Sequence, residues 1–256
     1  MRTICVIGMG PGGAEYLTLQ AVEAVKAVDV FLILEKQGVG KEALTEARRR
    51  ILDACRGPGG YRVVTAPSPP RAPAGEDYND VVADWHARKT EGLAAFIAEH
   101  VAQGETAGLL VWGDPALYDS TVTIVRELRD KRGLDIALKV IPGVTSLQVL
   151  AARHATPLHE IGGEFLVTTA RRLGAAAAER RESIAVMLDS NAAFTQIDAS
   201  GYDIYWGAYL GTEREILMSG PLAEIGPELA EIVRREKQSN GWIFDIYLLK
   251  RRRATA

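Results

Sequence analysis

Cysteine is scarce in this sequence: the 256 residues include two, Cys5 and Cys55. Neither belongs to a C-x-x-C pair, which argues against a metal clip or a disulfide framework and fits a reducing compartment. An excess of positive charge is also missing, since 30 Lys and Arg stand against 33 Asp and Glu for a formal charge of -3. The broad attraction to phosphate that underlies non-specific nucleic-acid binding is therefore absent, although a local basic pocket is not excluded. No apolar run reaches membrane-spanning length, and the run after Arg2 breaks at Gly8, too soon for a secretion signal. The expectation is a cytoplasmic protein with no metal, no nucleic-acid partner and no membrane partner. What the chain does have is core material: 47% hydrophobic and 25% charged residues, enough for one large domain or two smaller ones.

The two halves differ in rhythm. In the first, apolar runs of strand length at 3–7, 30–34, 61–65, 109–112 and 137–141 alternate with helical patterns, clearest at 18–28, 81–101 and 121–131. Runs that are continuously apolar suit strands buried on both faces, so a parallel sheet of about five strands with right-handed crossovers is expected. In the second half the strand candidates are 165–169, 184–188, 204–210, 216–219 and 243–250. The turn Gly211-Thr212-Glu213 is too short for a parallel crossover, so two of these strands pair antiparallel and the second sheet is mixed. Residues 154–164 carry Pro157, Gly162 and Gly163 without periodicity and mark a boundary. The fold class is α/β with two α/β domains, 1–156 parallel and 157–256 mixed, five strands each, and a cleft between them. One stretch, 66–77, holds Pro67, Pro69, Pro70 and Pro73 beside Gly75, and missing backbone donors make it a loop, either a functional lid or a plain surface excursion.

Three strand-ending loops carry the chemical signals. Gly8-Met9-Gly10-Pro11-Gly12-Gly13 satisfies G-x-G-x-x-G, with Glu35 near where a ribose-binding acid would lie. Pro11, however, has no N–H to offer a pyrophosphate. Thr18 after Leu17 also reads as the cap of the next helix, so no helix N-terminus would face such a group. The glycines serve equally as a tight turn. Val111-Trp112-Gly113-Asp114-Pro115-Ala116-Leu117-Tyr118 closes another strand. There Gly113 lets a ligand approach the backbone and Asp114 supplies an acceptor, or Asp114-Pro115 simply stops the strand. Ile141-Pro142-Gly143-Val144-Thr145-Ser146 ends a third, with Thr145 or Ser146 capping the helix at 147–153. All three loops would open on one edge of a parallel sheet, where ligands of such sheets bind.

In this order and spacing, the trio Gly8-Met9-Gly10-Pro11-Gly12, Trp112-Gly113-Asp114-Pro115-Ala116-Leu117-Tyr118 and Pro142-Gly143-Val144-Thr145-Ser146 resembles the tetrapyrrole methylase family across nearly the whole chain. The resemblance implies two α/β domains, a homodimer, and S-adenosylmethionine as cofactor, leaving as S-adenosylhomocysteine. Carried over by position, cofactor contacts fall on Pro11, Trp112, Gly113, Asp114, Leu117, Thr145, Ser146, Met187, Leu188 and Gly211, the second domain matching only loosely. The chain departs from the pattern at Gly13, where many members carry an acid, and at Leu34, where uroporphyrinogen-type members place an aspartate. The proline-rich loop, Glu76-Asp77-Tyr78, Trp85-His86-Ala87-Arg88 and Thr169-Ala170-Arg171-Arg172-Leu173 instead resemble a deacetylating corrin-pathway branch. That branch methylates ring carbon C1 and loses an acetyl group as acetate.

Such a reaction asks mainly for positioning, plus a base for water attacking the acetyl carbonyl. Glu35 and His86 are the candidate bases and Tyr118 a donor to the developing oxyanion. Each has a plain alternative, as strand end, helix surface or packing. A macrocycle fringed with carboxylates calls for close backbone approach at Gly10 and Gly12 and for arginines at the rim, for which Arg71, Arg88, Arg171 and Arg172 are candidates, or else solvated surface. The run Lys250-Arg251-Arg252-Arg253 reads as a disordered or solvated tail. Competing readings are a relative acting on another precorrin, a diphthine or a ribosomal RNA, and a non-catalytic protein that binds the cofactor.

Overall fold

Alternation along the first strand decides the architecture of the N-terminal unit. In the computed structural model, which describes residues 1–35, 42–57, 59–69 and 78–252, β1 (Arg2–Gly8) buries every residue from Ile4 onward. Ile4 and Val6 join one apolar cluster with Leu93, Phe96, Ile97, Ile124 and Leu128, while Cys5 and Ile7 join another with Ala21, Val25, Ile51 and Leu52. A strand buried on both faces has no polar side to show, which is why its sequence is a continuous apolar run. Truncating a side chain such as Ile7 to Ala should cost about 2–5 kcal/mol.

The remaining elements follow as α1 (Leu19–Lys26), β2 (Val30–Glu35), α2 (Glu42–Arg56), β3 (Arg62–Pro67), α3 (Tyr78–His100), β4 (Thr106–Val111), α4 (Thr121–Asp130) and β5 (Ile136–Ile141). The five strands are all parallel, in the order β3-β2-β4-β1-β5. Helices α1 and α2 cover one face and α3 and α4 the other. As expected, Thr18 caps α1, its hydroxyl accepting the Ala21 N–H at 3.0 Å.

The second unit runs α5 (Ser146–Arg153), β6 (Leu166–Thr169), α6 (Leu173–Ala178), β7 (Ser183–Met187), β8 (Tyr202–Ala208), β9 (Ile216–Pro221), α7 (Leu222–Asn240) and β10 (Asp245–Arg251). Its sheet has the order β6-β7-β10-β8-β9. Only β6 and β7 pair parallel; β7 with β10, β10 with β8 and β8 with β9 are antiparallel, so the sheet is mixed as expected. Trp206, Tyr247 and Phe194 are its largest fully buried side chains. Phe194 and Tyr247 meet edge to face at 5.3 Å, a favoured aromatic arrangement.

Contacts divide the chain into Met1–Val144 and Thr145–Ala256, whereas the break in periodicity places the boundary after 156. Helix α5 lies between these two positions and packs on β10 and β8, within the second unit. Of the two candidate caps for α5, Thr145 does the work: its hydroxyl accepts the Gln148 N–H at 3.4 Å and Gln148 Oε1 accepts the Thr145 N–H at 2.7 Å. This reciprocal pair is a capping box. Among the described residues, no helix is long and apolar enough to cross a membrane.

Candidate functional site

Three glycines meet where β4, β1 and β5 end side by side. A Cβ built on Gly8 would lie 2.6 Å from the Gly143 nitrogen and 2.9 Å from the Gly113 carbonyl oxygen, and one on Gly143 would lie 2.2 Å from that same oxygen. Only residues without side chains allow the three loops to close on one another. The contact is reinforced by hydrogen bonds: the Gly113 N–H donates to Gly10 O at 2.8 Å, the Gly10 N–H to Gly113 O at 3.3 Å, and the Met9 N–H to Val111 O at 2.8 Å. Gly10 and Gly113 sit at φ +73° and +68°, backbone that favours glycine.

Gly113 differs from its partners in one respect. Nothing lies within 4 Å of where its Cβ would be, so its backbone borders open space. A ligand can approach the main chain there, on the strand edge where α/β sheets bind their ligands.

Asp114 has a local task that the sequence did not disclose. Its Oδ2 accepts the Gly143 N–H at 2.8 Å and its Oδ1 accepts the Ala116 N–H at 2.8 Å. One carboxylate therefore shapes its own turn and lashes the β4 loop to the β5 loop. The expected N-terminal geometry of the first loop also holds: a 3-10 turn, Ala14–Tyr16, separates Gly13 from α1, so the glycine loop does not run straight into a helix as a dinucleotide fingerprint requires.

The other candidates of the first unit gather unevenly. Pro11 is buried, Gly12 half-buried, and Trp112 and Leu117 half-buried at the same strand ends. Glu35 is half-buried at the end of β2, next to β4 in the sheet, and its carbonyl accepts the Ser68 N–H at 2.7 Å. Tyr118 is exposed with φ +52°, in the loop that leads to α4. His86 and Arg88 lie on α3. His86 Nδ1 stands 4.0 Å from Glu127 Oε2 of α4, and Arg88 pairs with Asp84 one turn earlier at 2.7 Å. Arg71 lies outside the described residues, as does most of the proline-rich stretch. The described start of that stretch is held by Trp85, whose indole N–H donates to Pro69 O at 3.0 Å. Lys89 lies over the Trp85 ring at 4.5 Å and donates to Ser120 Oγ at 3.2 Å.

In the second unit, Met187 ends β7 and Leu188 follows it, Gly211 follows β8, and Thr145 and Ser146 open α5. Leu188 is 59% exposed and has φ +57°, a conformation unfavourable for a branched apolar residue. Arg171 and Arg172 are exposed in the 3-10 turn after β6, the neighbour of β7. Gly211 is held by Glu215, whose Oε2 accepts its N–H at 3.0 Å while Oε1 pairs with Arg153 at 2.6 Å.

Sequence reasoning missed three charged residues. Arg48 of α2 donates to Leu110 O of β4 at 3.2 Å, and burial holds its guanidinium below the usual arginine range against the pull of Asp119. Asp189 and Asp245 are both buried. Burial pushes the Asp245 carboxyl up to about 7, with Asp189 adding to the rise and the Trp206 N–H opposing it. An acid in the otherwise apolar strand pattern 243–250 was the available signal, because a buried charge demands partners.

Residues 3–226 match the family described as Tetrapyrrole (Corrin/Porphyrin) Methylases. A Sinorhizobium sp protein named Precorrin-6A synthase [deacetylating] is 40% identical over 251 residues, 98% of this chain and 96% of that protein. Among solved structures, a putative cobalamin synthesis related protein (CobF) from Corynebacterium diphtheriae superposes with a TM-score of 0.80 at 36% identity, covering 98% of each chain. The uroporphyrin-III C-methyl transferase from Thermus thermophilus, complexed with S-adenyl homocysteine, shares the fold with a TM-score of 0.60 at 18% identity, covering 97% of each chain.

Proposed function

The chain belongs to the tetrapyrrole (corrin/porphyrin) methylases, and from that membership we propose that it methylates precorrin-5 at ring carbon C1, with S-adenosylmethionine as donor, and releases acetate to give precorrin-6A. It is a methyltransferase of cobalamin biosynthesis. The observation that carries the specific assignment is the near-full-length likeness to a relative bearing the deacetylating name. The junction of Gly8, Gly113 and Gly143, with open space beside Gly113, supplies a backbone cradle that suits it.

In this reading the cofactor contacts are Pro11, Trp112, Gly113, Asp114, Leu117, Thr145, Ser146, Met187, Leu188 and Gly211. When bound, S-adenosylmethionine supplies a methyl group on a sulfonium, already electrophilic enough to need little activation. The chain's own work is then to hold the ring carbon in line and to keep water from the methyl. Loss of the acetyl group needs the opposite, one water admitted to the acetyl carbonyl. Glu35, at the end of β2, takes that water's proton, and Tyr118 donates to the oxyanion that forms. The water oxygen ends in acetate and the bonding electrons stay on the macrocycle. His86 is the alternative base, although its ring faces Glu127 on α4. Backbone at Gly10 and Gly12, with Arg71, Arg88, Arg171 and Arg172 at the rim, takes the macrocycle and its carboxylates. The proposed assembly is a cytoplasmic homodimer, to be checked by light scattering.

The test is mass spectrometry of the macrocycle after incubation with S-adenosylmethionine and reconstituted precorrin-5, alongside an assay of free acetate. A gained methyl with a lost acetyl is expected. Methyl transfer without acetate would move the assignment to a sister corrin methylase, and cofactor binding with no change in the macrocycle would leave the family and remove the substrate.

A further inference from the structure

Four of the seven non-glycine residues with positive φ among the described residues lie around one buried acid. Leu188 (φ +57°), Ser190 (+78°) and Ala192 (+54°) follow β7, and Tyr209 (+51°) follows β8. Between those two strands runs β10, whose first residue, Asp245, pairs in register with Ala208, one residue before Tyr209, while Ile246 pairs with Met187, one residue before Leu188. Left-handed backbone is costly for a residue with a side chain, and such strain persists only where its surroundings over-determine it, most often at ligand sites.

The surroundings here are built from two carboxyls. Asp245 Oδ1 accepts the Ser190 N–H at 3.1 Å and its Oδ2 accepts the Trp206 indole N–H at 3.0 Å. Asp189 accepts the Asn191 N–H at 2.9 Å, the Ala193 N–H at 2.8 Å and the Tyr247 hydroxyl at 2.8 Å. Lys237 of α7 holds the Asn191 side chain at 2.6 Å from outside, and the Tyr209 N–H is held by Phe244 O at 2.9 Å.

We propose that Asp245 is a positioning residue: its buried carboxyl latches the left-handed loop at 188–192 and thereby preforms the surface on which Met187 and Leu188 meet the cofactor. The cofactor contact rests on the reading given above; the latch itself does not. The latch is also linked to a proton. Asp245 is faced by the Asp189 carboxyl from the β7 loop, by Lys237 from α7, by Tyr209 from the β8 turn and by Tyr247 on its own strand. Burial and the neighbouring acid favour the neutral form and hold the proton to about pH 7. A loop that opened would hydrate the carboxylate and return it toward its ordinary acidity. Closure therefore binds the proton more tightly, and loss of the proton favours opening.

Two variants and two readouts separate the claims. The first readout is amide hydrogen exchange of residues 188–193 without ligand; the second is S-adenosylhomocysteine affinity by calorimetry from about pH 5.5 to about pH 8.5. Asp245→Ala, checked for folding by circular dichroism, should exchange at least about tenfold faster at these amides and bind more weakly throughout. Asp245→Asn keeps one acceptor, enough for the Ser190 N–H or the Trp206 indole but not for both, and has no proton to release. Its exchange should fall between that of the unaltered protein and Asp245→Ala, and it should lose the fall in affinity that the unaltered protein shows above neutrality. Wild-type exchange in a folded Asp245→Ala overturns the latch, and a pH profile shared by wild type and Asp245→Asn overturns its proton link. No binding by the unaltered protein at any pH removes the cofactor reading instead, and the exchange data still decide the latch.

Discussion

At the scale of the residue, the three junction glycines look interchangeable in sequence and are not so in space. Gly143→Ala would drive a methyl to 2.2 Å from the Gly113 carbonyl oxygen, backbone that cannot swing aside, so a loss of about 1–3 kcal/mol or more is expected in urea unfolding. Gly113→Ala meets no atom within 4 Å and costs only about 1–2 kcal/mol for its left-handed backbone, but its methyl enters the space assigned to the cofactor. The first variant should lose stability, and the second should stay folded while binding S-adenosylhomocysteine more weakly. Equal affinity in the unaltered protein and Gly113→Ala would take the cofactor away from this loop. Asp114 teaches the complementary lesson. As a ligand acceptor or a strand-stopping turn it was legible, but its bond to Gly143 spans 29 positions in the chain and no local pattern encodes that. Because Asn can accept at one position only, Asp114→Asn should cost about 1–3 kcal/mol, seen in unfolding before any effect on turnover.

At the scale of the element, legibility followed burial. The five parallel strands were found within three residues because both faces of each demand apolar side chains, and α1, α3 and α4 because one face does. Helix α2 is less legible: Ala47, Ile51 and Leu52 form a buried stripe, but seven charged residues in its fifteen mask the apolar period. Helix α7 carries Pro227 inside it, a residue normally read as a breaker. The start of α5 shows a part of the candidate site whose local chemistry is complete in sequence. Thr145→Ala removes the hydroxyl from the capping box and should destabilise the second unit by about 1 kcal/mol, while Thr145→Ser should restore it. If Thr145 also touches the cofactor, the Ala variant will lose affinity beyond what its stability loss explains, and calorimetry beside urea unfolding separates the two.

At the scale of the whole molecule, buried Asp245 gives stability a dependence on pH. Asp245 holds its proton to about pH 7 when folded, against an ordinary 3.8, so between these values the folded chain binds a proton that the unfolded chain has released. Stability contributed by that difference is present in mild acid and is lost as pH rises from about 4 to about 7, on the order of 4 kcal/mol at about 1.4 kcal/mol per pH unit. The surface carboxylates of Glu105, Asp130, Asp198 and Glu231 act in the opposite sense, held below their usual range first by the Ala102 N–H, Arg129, Ser200 and Arg234 respectively. Their small stabilisation is present above the ordinary carboxylate range and fades as acid protonates them. The two trends together place maximum stability in the mildly acidic range rather than at neutrality. Urea unfolding in steps across that range should show the decline toward pH 7 in the unaltered protein and its absence in Asp245→Asn, which has no proton to lose. Should the two proteins decline in parallel, the slope belongs to other groups and Asp245 is ionised in the folded chain well below neutrality. The loop at 188–192 would then be held by a carboxylate at all working pH values, leaving the latch without its proton link.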